Sequence, residues 1–148
     1  MFLFTDETPD KARKAWVSLN RFMAHVSHQQ RLTPVKPLQV WPEEFGTWTI
    51  ADGLENPDLE ASKYYVAAAA EWLLVAGSDI HGDEMWGQRG LHPLRGKLWE
   101  KGRRAADRTH EKRWGFWRER LLEIAGDGGF DEGTREAAKQ VEEAMSKI

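Results

Sequence analysis

Glu71 stands alone as a carboxylate in a run, Tyr64 to Gly77, where every other residue is apolar, aromatic or small. A carboxylate in such surroundings must be paired with a cation, hydrogen-bonded, or held protonated. Paired, it is a structural partner to an arginine or an indole N–H. Unpaired in an aromatic cavity, it is a general acid or base tuned towards neutrality. His110 lies one helical turn before Trp114 and two before Trp117. A single histidine on an apolar face is most often satisfied within the core, but facing a carboxylate across a cavity it completes an acid/base pair. Glu71 and His110 are therefore the candidate catalytic residues.

The residues that would surround them are aromatic. Eight tryptophans fall within 148 residues: Trp16, Trp41, Trp48, Trp72, Trp86, Trp99, Trp114 and Trp117. Tryptophan is large and rigid, with one N–H that needs a partner when buried. The set suits a plain core, an aromatic-lined cavity or an aromatic contact surface. Trp48, Trp72, Trp86, Trp99, Trp114 and Trp117 are the candidate lining of a pocket. Asn20, His81 and Asp83 are the candidate polar contacts to a ligand there.

Other constellations carry less. His81-Gly82-Asp83-Glu84 with His92 holds metal-capable side chains but no recognised ligand spacing, so no metal is expected. The same stretch could act as a lid, with Met85 and Trp86 closing over a pocket. His25 and His28 lie three apart and share a helix face, as a solvated pair. Ten basic residues run from Arg95 to Arg120, interleaved with Glu100, Asp107, Glu111 and Glu119. That pattern predicts a solvated face laced with surface ion pairs rather than a nucleic-acid site.

Composition excludes several classes of function. The formal net charge is −3, with no global pull towards nucleic acid or membrane. There is no cysteine, which removes disulfides, thiolate nucleophiles and iron–sulfur clusters. No phosphate loop, dinucleotide fingerprint or nucleophile elbow is present, and no cofactor is called for. Met1 to Phe4 is apolar but too short for a signal segment, and no apolar run reaches membrane-spanning length. A cytoplasmic protein is expected.

The elements that position these residues read as helices throughout. Thr8-Pro9-Asp10 predicts a helix start, and Ala12, Ala15, Trp16, Leu19, Phe22, Met23 and Val26 form its inward stripe, fading near Gln29-Gln30. Arg31 to Pro37 reads as a connector. A second helix opens at Pro42-Glu43-Glu44 with Trp41, Phe45, Trp48 and Asp52 on one stripe, and ends near Gly53 to Glu55. Asn56-Pro57-Asp58 starts a third, apolar on all sides and therefore central. Ser78 to Pro93 reads as the longest irregular stretch. Gly96 to Ala125 reads as one long helix or two with a bend, its helical spacing favouring near-continuity, and Gly126-Asp127-Gly128-Gly129 stops it. A last helix runs from about Gly133 to Lys147, with Ala137, Ala138, Val141, Ala144, Met145 and Ile148 inward. The expected architecture is all-α: one domain over residues 1–148, a bundle of about five helices around a central one.

Several short motifs carry a resemblance. They are Tyr64-Tyr65-Val66-Ala67-Ala68-Ala69-Ala70-Glu71-Trp72, Gly96-Lys97-Leu98-Trp99, Arg113-Trp114-Gly115-Phe116-Trp117 and Thr134-Arg135-Glu136-Ala137-Ala138 leading to Met145. Asn20 within Leu19-Asn20-Arg21-Phe22 and the pair Leu54-Glu55 belong with them. In these the chain resembles a family of fungal helical proteins of unknown function. The resemblance implies an all-helical fold and a fungal origin, and transfers no reaction.

The function expected is therefore binding of an apolar or aromatic small molecule in a tryptophan-lined interhelical pocket. Cofactor-independent proton transfer (cyclisation, isomerisation or dehydration) is the chemistry such a pocket could support. The alternative is a protein–protein interaction module that uses exposed tryptophans as anchors, with homo-oligomerisation open.

Overall fold

A computed structural model describes residues 9–33, 41–88 and 95–148, and among these every regular element is helical. The long helix in the middle of the chain organises the rest. Asp58 caps it, its Oδ1 accepting from the backbone N–H groups of Glu60 and Ala61. The helix, α3, then runs Leu59–Gly82. Val66, Ala68, Ala69, Ala70, Trp72, Leu73, Ala76 and Ile80 are all buried along it. It is not apolar on all sides, because Glu71 reaches the surface and Leu74 is exposed.

α3 extends further than expected. Ser78 to Gly82 continue the helix because Ile80 remains fully buried and Asp79 is held by His28. The irregular stretch begins only at Asp83, with a turn over 84–87. Residues 89–94, including His92, lie outside the described residues.

α1, Pro9–Leu32, packs on α3 in the same direction, with Asn20 at Trp72, Arg21 at Glu71 and His28 at Asp79. Its buried positions are Asn20, Met23, Ala24 and Ser27, whereas Ala15, Leu19 and Phe22 are exposed. The inward stripe is thus rotated from the one the apolar spacing predicted. Small and polar side chains face the alanine-rich α3, which lets the two backbones approach closely.

α2, Trp41–Leu54, lies antiparallel to α3 and also turns its small residues inward. A Cβ on Gly46 would sit 2.6–2.7 Å from ring atoms of Trp72 and Trp86, and one on Gly53 3.1 Å from the Tyr65 carbonyl oxygen. The indoles pack directly on the α2 backbone. This corrects the expected stripe: Trp48 is 51% exposed, and Ile50, Ala51 and Leu54 are buried instead.

The expected near-continuous helix from Gly96 to Ala125 is broken. Its pieces are a single turn, α4 (Lys97–Glu100), a 3₁₀ turn at Ala105–Asp107, and α5 (His110–Ala125). Gly102 at φ +70° lies in the turn that ends α4, and Thr109 caps α5 through its side-chain oxygen, which accepts from the Lys112 N–H. The break folds Trp99 back onto Phe116, at a centroid distance of 5.4 Å. The Arg103 guanidinium lies over both rings at 4.6 and 4.8 Å.

α6, Glu132–Ser146, starts on an Asp131 cap and buries Thr134, Ala138, Val141, Glu142 and Met145 against α3 and α5. Ile148, expected inward, is about half exposed.

Candidate functional site

The tryptophans fill the core and touch one another. Trp72, Trp86, Trp99, Trp114 and Trp117 are all at least nine-tenths buried. Trp72 meets Trp86 edge-on at 5.8 Å, and Trp114 meets Trp117 at 6.3 Å. Trp86 leaves the turn after α3 to enter this core, while its neighbour Met85 is exposed. The Trp72 indole N–H donates to Asn20 Oδ1 at 2.8 Å, and Asn20 Nδ2 donates to the Trp16 carbonyl at 2.9 Å. Asn20, fully buried, is therefore a locally satisfied amide.

A second paired indole, that of Trp117, leads to the most deeply buried charge among the described residues. Glu55 is fully buried at the end of α2. Its Oε2 accepts from Arg113 Nε at 2.6 Å and from Trp117 Nε1 at 2.7 Å. Its Oε1 accepts from Arg113 Nη2 at 2.9 Å and from the Gly96 N–H at 2.7 Å. The Glu55 carbonyl also receives the Leu98 N–H. Two oxygens and four donors satisfy the carboxylate, as a buried charge requires. Gly96 must be glycine here, because a Cβ would lie 2.4 Å from that of Glu55. The network ties α2, α5 and the 96–98 segment together, with the Glu55 carboxylate itself out of solvent.

Glu71 pairs with Arg21, 2.6 Å from Nε to Oε1, with the arginine more than half exposed. The hydrogen bond to Glu71 and its charge raise the Arg21 pKa further. His110 is placed elsewhere. Its Nε2 lies 2.8 Å from the Ile80 carbonyl oxygen, more than two turns beyond Glu71 along α3. The structure does not bring the two candidate catalytic residues together.

One end of the bundle gathers most of the remaining polar chemistry. Arg31 bridges Glu43 at 3.0 Å and Asp83 at 2.7 Å. Burial pulls that guanidinium's pKa down, and the hydrogen bonds to Asp83 and Glu43 more than offset it. Glu43 Oε1 also accepts the Gly87 N–H at 3.2 Å. His28 Nδ1 lies 2.7 Å from Asp79 Oδ2, so His28 is joined to a carboxylate and not to His25.

Beside this cluster, the C-terminal end of α3 and the N-terminal turn of α5 enclose a cleft of about 740 Å³. His81, Gly82, Asp83, Glu84, Thr109, His110 and Glu111 line it. His81 lies against Trp114 at 4.8 Å between centroids. A carbonyl oxygen can only accept, so the His110 contact to Ile80 fixes the proton on Nε2 and leaves Nδ1 with a lone pair in the neutral ring. His81, Asp83 and His110, named from sequence, are thus brought to one cleft, with Trp114 behind it. Trp48, Trp72, Trp86, Trp99, Trp117 and Asn20 do not line it.

A smaller cleft, of about 350 Å³, lies at the other end of α2 between Ala51-Asp52, Asn56-Pro57-Asp58 and Arg95-Gly96-Lys97. Partial burial raises the Asp52 pKa above the usual carboxylate value. Burial, and then the charges of Asp52 and Tyr64, raise that of Tyr65. Sequence reasoning missed Asp52 as a polar group and gave Glu55 no role beyond closing α2. The one signal for Glu55 was its place in the Leu54-Glu55 motif alongside Arg113-Trp114-Gly115-Phe116-Trp117. Spacing within a helix says nothing about which distant cation will meet a carboxylate.

No group of three or more His, Asp or Glu among the described residues could hold a metal ion. No described helix is long and apolar enough to cross a membrane. No curated protein and no solved structure matches the chain. A protein-family match spans residues 4–121, which include every residue of the Glu55 network and of both clefts. The chain belongs to the family described as "Protein of unknown function (DUF3632)".

Proposed function

We propose that this protein binds a small organic molecule in the cleft between the end of α3 and the start of α5. The observation that carries the reading is the convergence of His81, Asp83 and His110, with Glu84, Thr109 and Glu111, on one opening of about 740 Å³. That size lies within the roughly 300–1,000 Å³ of small-molecule sites. The ligand that suits it has a flat aromatic face to lie along His81, which Trp114 backs, and polar substituents for the carboxylates and Thr109. The buried tryptophans serve this reading as a rigid frame, since a site is held best by elements that packing has locked.

If the bound molecule is turned over, the chemistry is cofactor-independent proton transfer. His110 would accept a proton at Nδ1 while the Ile80 carbonyl holds its Nε2–H. Isomerisation, dehydration and cyclisation are the reactions of that kind. Glu71 has no part in this version, being engaged with Arg21. The reading takes the protein as cytoplasmic and of fungal origin, the origin in keeping with the resemblance of its motifs.

The test is an NMR titration with hydroxylated aromatic fragments, following the ring resonances of His81 and His110. Saturable shifts at both rings, with the His110 shift lost in His81→Ala, support the site. Fragments that bind without moving either ring would place binding elsewhere and overturn it.

A second reading, a protein-interaction surface, rests on α1. Leu19, Phe22 and Leu32 on that helix are 45%, 62% and 62% exposed. Concentration-dependent sedimentation that disappears in Phe22→Ser would favour it.

A further inference from the structure

The smaller cleft beside α2 presents charges of both signs that do not meet. Asp52, on the last turns of α2, makes no hydrogen bond or ion pair among the described residues. Arg95 and Lys97 line the same opening and likewise have no side-chain partner among them. Opposite charges free to move would close on one another if the walls allowed it. The backbone on both sides is anchored. Gly96, between the two cations, is hydrogen-bonded to the Glu55 carboxylate, and Leu98 to the Glu55 carbonyl. Asp52 is on a helix locked against Tyr65 by Gly53. Asp58 also lines the cleft, and one of its oxygens is committed to capping α3.

We propose that this cleft binds a small zwitterion, an ammonium–carboxylate compound of amino-acid type. Its ammonium group is received by Asp52 with Asp58 nearby, and its carboxylate by Arg95 and Lys97. A simple anion would meet two carboxylates in the same opening, and a simple cation would meet two basic side chains. Only a ligand with both charges is attracted throughout. A volume of about 350 Å³ limits it to a compact molecule. The Asn56 amide is the one neutral polar side chain in the lining. Its Oδ1 accepts from the Asp58 N–H, which leaves the amide N–H groups for the ligand carboxylate. Burial raises the Asp52 pKa, in keeping with a carboxylate that has no cation against it. This site is independent of the cleft at the end of α3, and neither reading depends on the other.

The experiment is a backbone amide NMR titration of the whole chain with glycine, β-alanine and γ-aminobutyrate, using acetate and methylammonium as half-ligands. The expected result is saturable shifts at Asp52, Asn56, Gly96 and Lys97, with at least one zwitterion about tenfold tighter than either half-ligand. Asp52→Asn should abolish the shifts without lowering the melting temperature, since it removes a half-buried unpaired charge. Lys97→Ala, at an exposed position, should weaken binding by about tenfold on the same scale. Three results would each overturn the proposal: no saturable shift with any zwitterion at millimolar concentration, acetate binding as tightly as the best zwitterion, or undiminished binding in Asp52→Asn.

Discussion

Arg113 grips Glu55 through two parallel hydrogen bonds, from Nε to Oε2 and from Nη2 to Oε1, at a point where Glu55 has no exposed surface. The pair joins the end of α2 to the first turn of α5, and Trp117 and Gly96 complete it. Removing one partner strands the other as an uncompensated buried charge. Glu55→Ala and Arg113→Ala should each cost about 3–5 kcal/mol. Arg113→Lys should also be costly, because an ammonium cannot reproduce the two-pronged contact. Chemical denaturation of the three variants checks this, and a loss below about 1 kcal/mol in Glu55→Ala would contradict it.

Asn20 and Trp72 form a second buried pair across α1 and α3. Asn20→Ala leaves the indole N–H of a fully buried tryptophan without an acceptor, a loss of about 1–3 kcal/mol. Adding Trp72→Phe removes the stranded donor. The double variant should therefore lose less than the sum of the two single losses, and a double-mutant cycle measures the difference.

Gly87 and Gly102 share φ +70° but not their surroundings. A Cβ on Gly87 would fall 1.7 Å from Thr47 Oγ1, whereas one on Gly102 meets nothing within 4 Å. Gly102→Ala should cost only the left-handed backbone penalty, about 1–2 kcal/mol. Gly87→Ala should cost that plus crowding of about 1–3 kcal/mol. Equal melting temperatures for the two variants would refute the close packing of Gly87 on α2.

The Asp131 cap predicts a pH dependence. The Thr134 backbone N–H holds the Asp131 carboxyl below its ordinary pKa against partial burial, with help from the Thr134 hydroxyl, Arg13 and Arg135. A carboxyl whose pKa is depressed by folding stabilises the folded state above its unfolded-state value and loses that contribution as pH falls through the folded value. Asp131→Ala should cost about 1 kcal/mol at neutral pH. The gap from the parent should narrow as pH drops below the usual carboxylate range, and urea unfolding across that range reads it directly.

Glu71→Gln should change stability by less than about 1 kcal/mol, because its partner Arg21 is largely in water and exposed pairs contribute little. Were Glu71 an unpaired acid in a cavity, the amide would instead stabilise the fold appreciably.

How much of this was legible beforehand depends on the range of the interaction involved. The start at Asn56-Pro57-Asp58, the other proline-marked starts and the helical class all rest on contacts within a few residues. The starts of α1, α2, α3 and α6 fall within three residues of where the sequence places them for that reason. The continuous helix from Gly96 to Ala125 failed because one glycine at positive φ and the attraction of Trp99 to Phe116 outweighed a regular spacing.

The sequence by itself determined that the chain is helical, that α3 is central and that many indoles must find burial, since periodicity and composition are properties of the local chain. Only the tertiary structure decided which faces of α1 and α2 turn inward, because Gly46, Gly53 and the alanines of α3 exchange apolar bulk for close approach. It alone gave Glu71 to Arg21, Glu55 to Arg113, and His81 and His110 to a common cleft. A carboxylate's chemistry is set by which charge lies within a few ångströms, and here those charges lie 50 or more residues away in the chain.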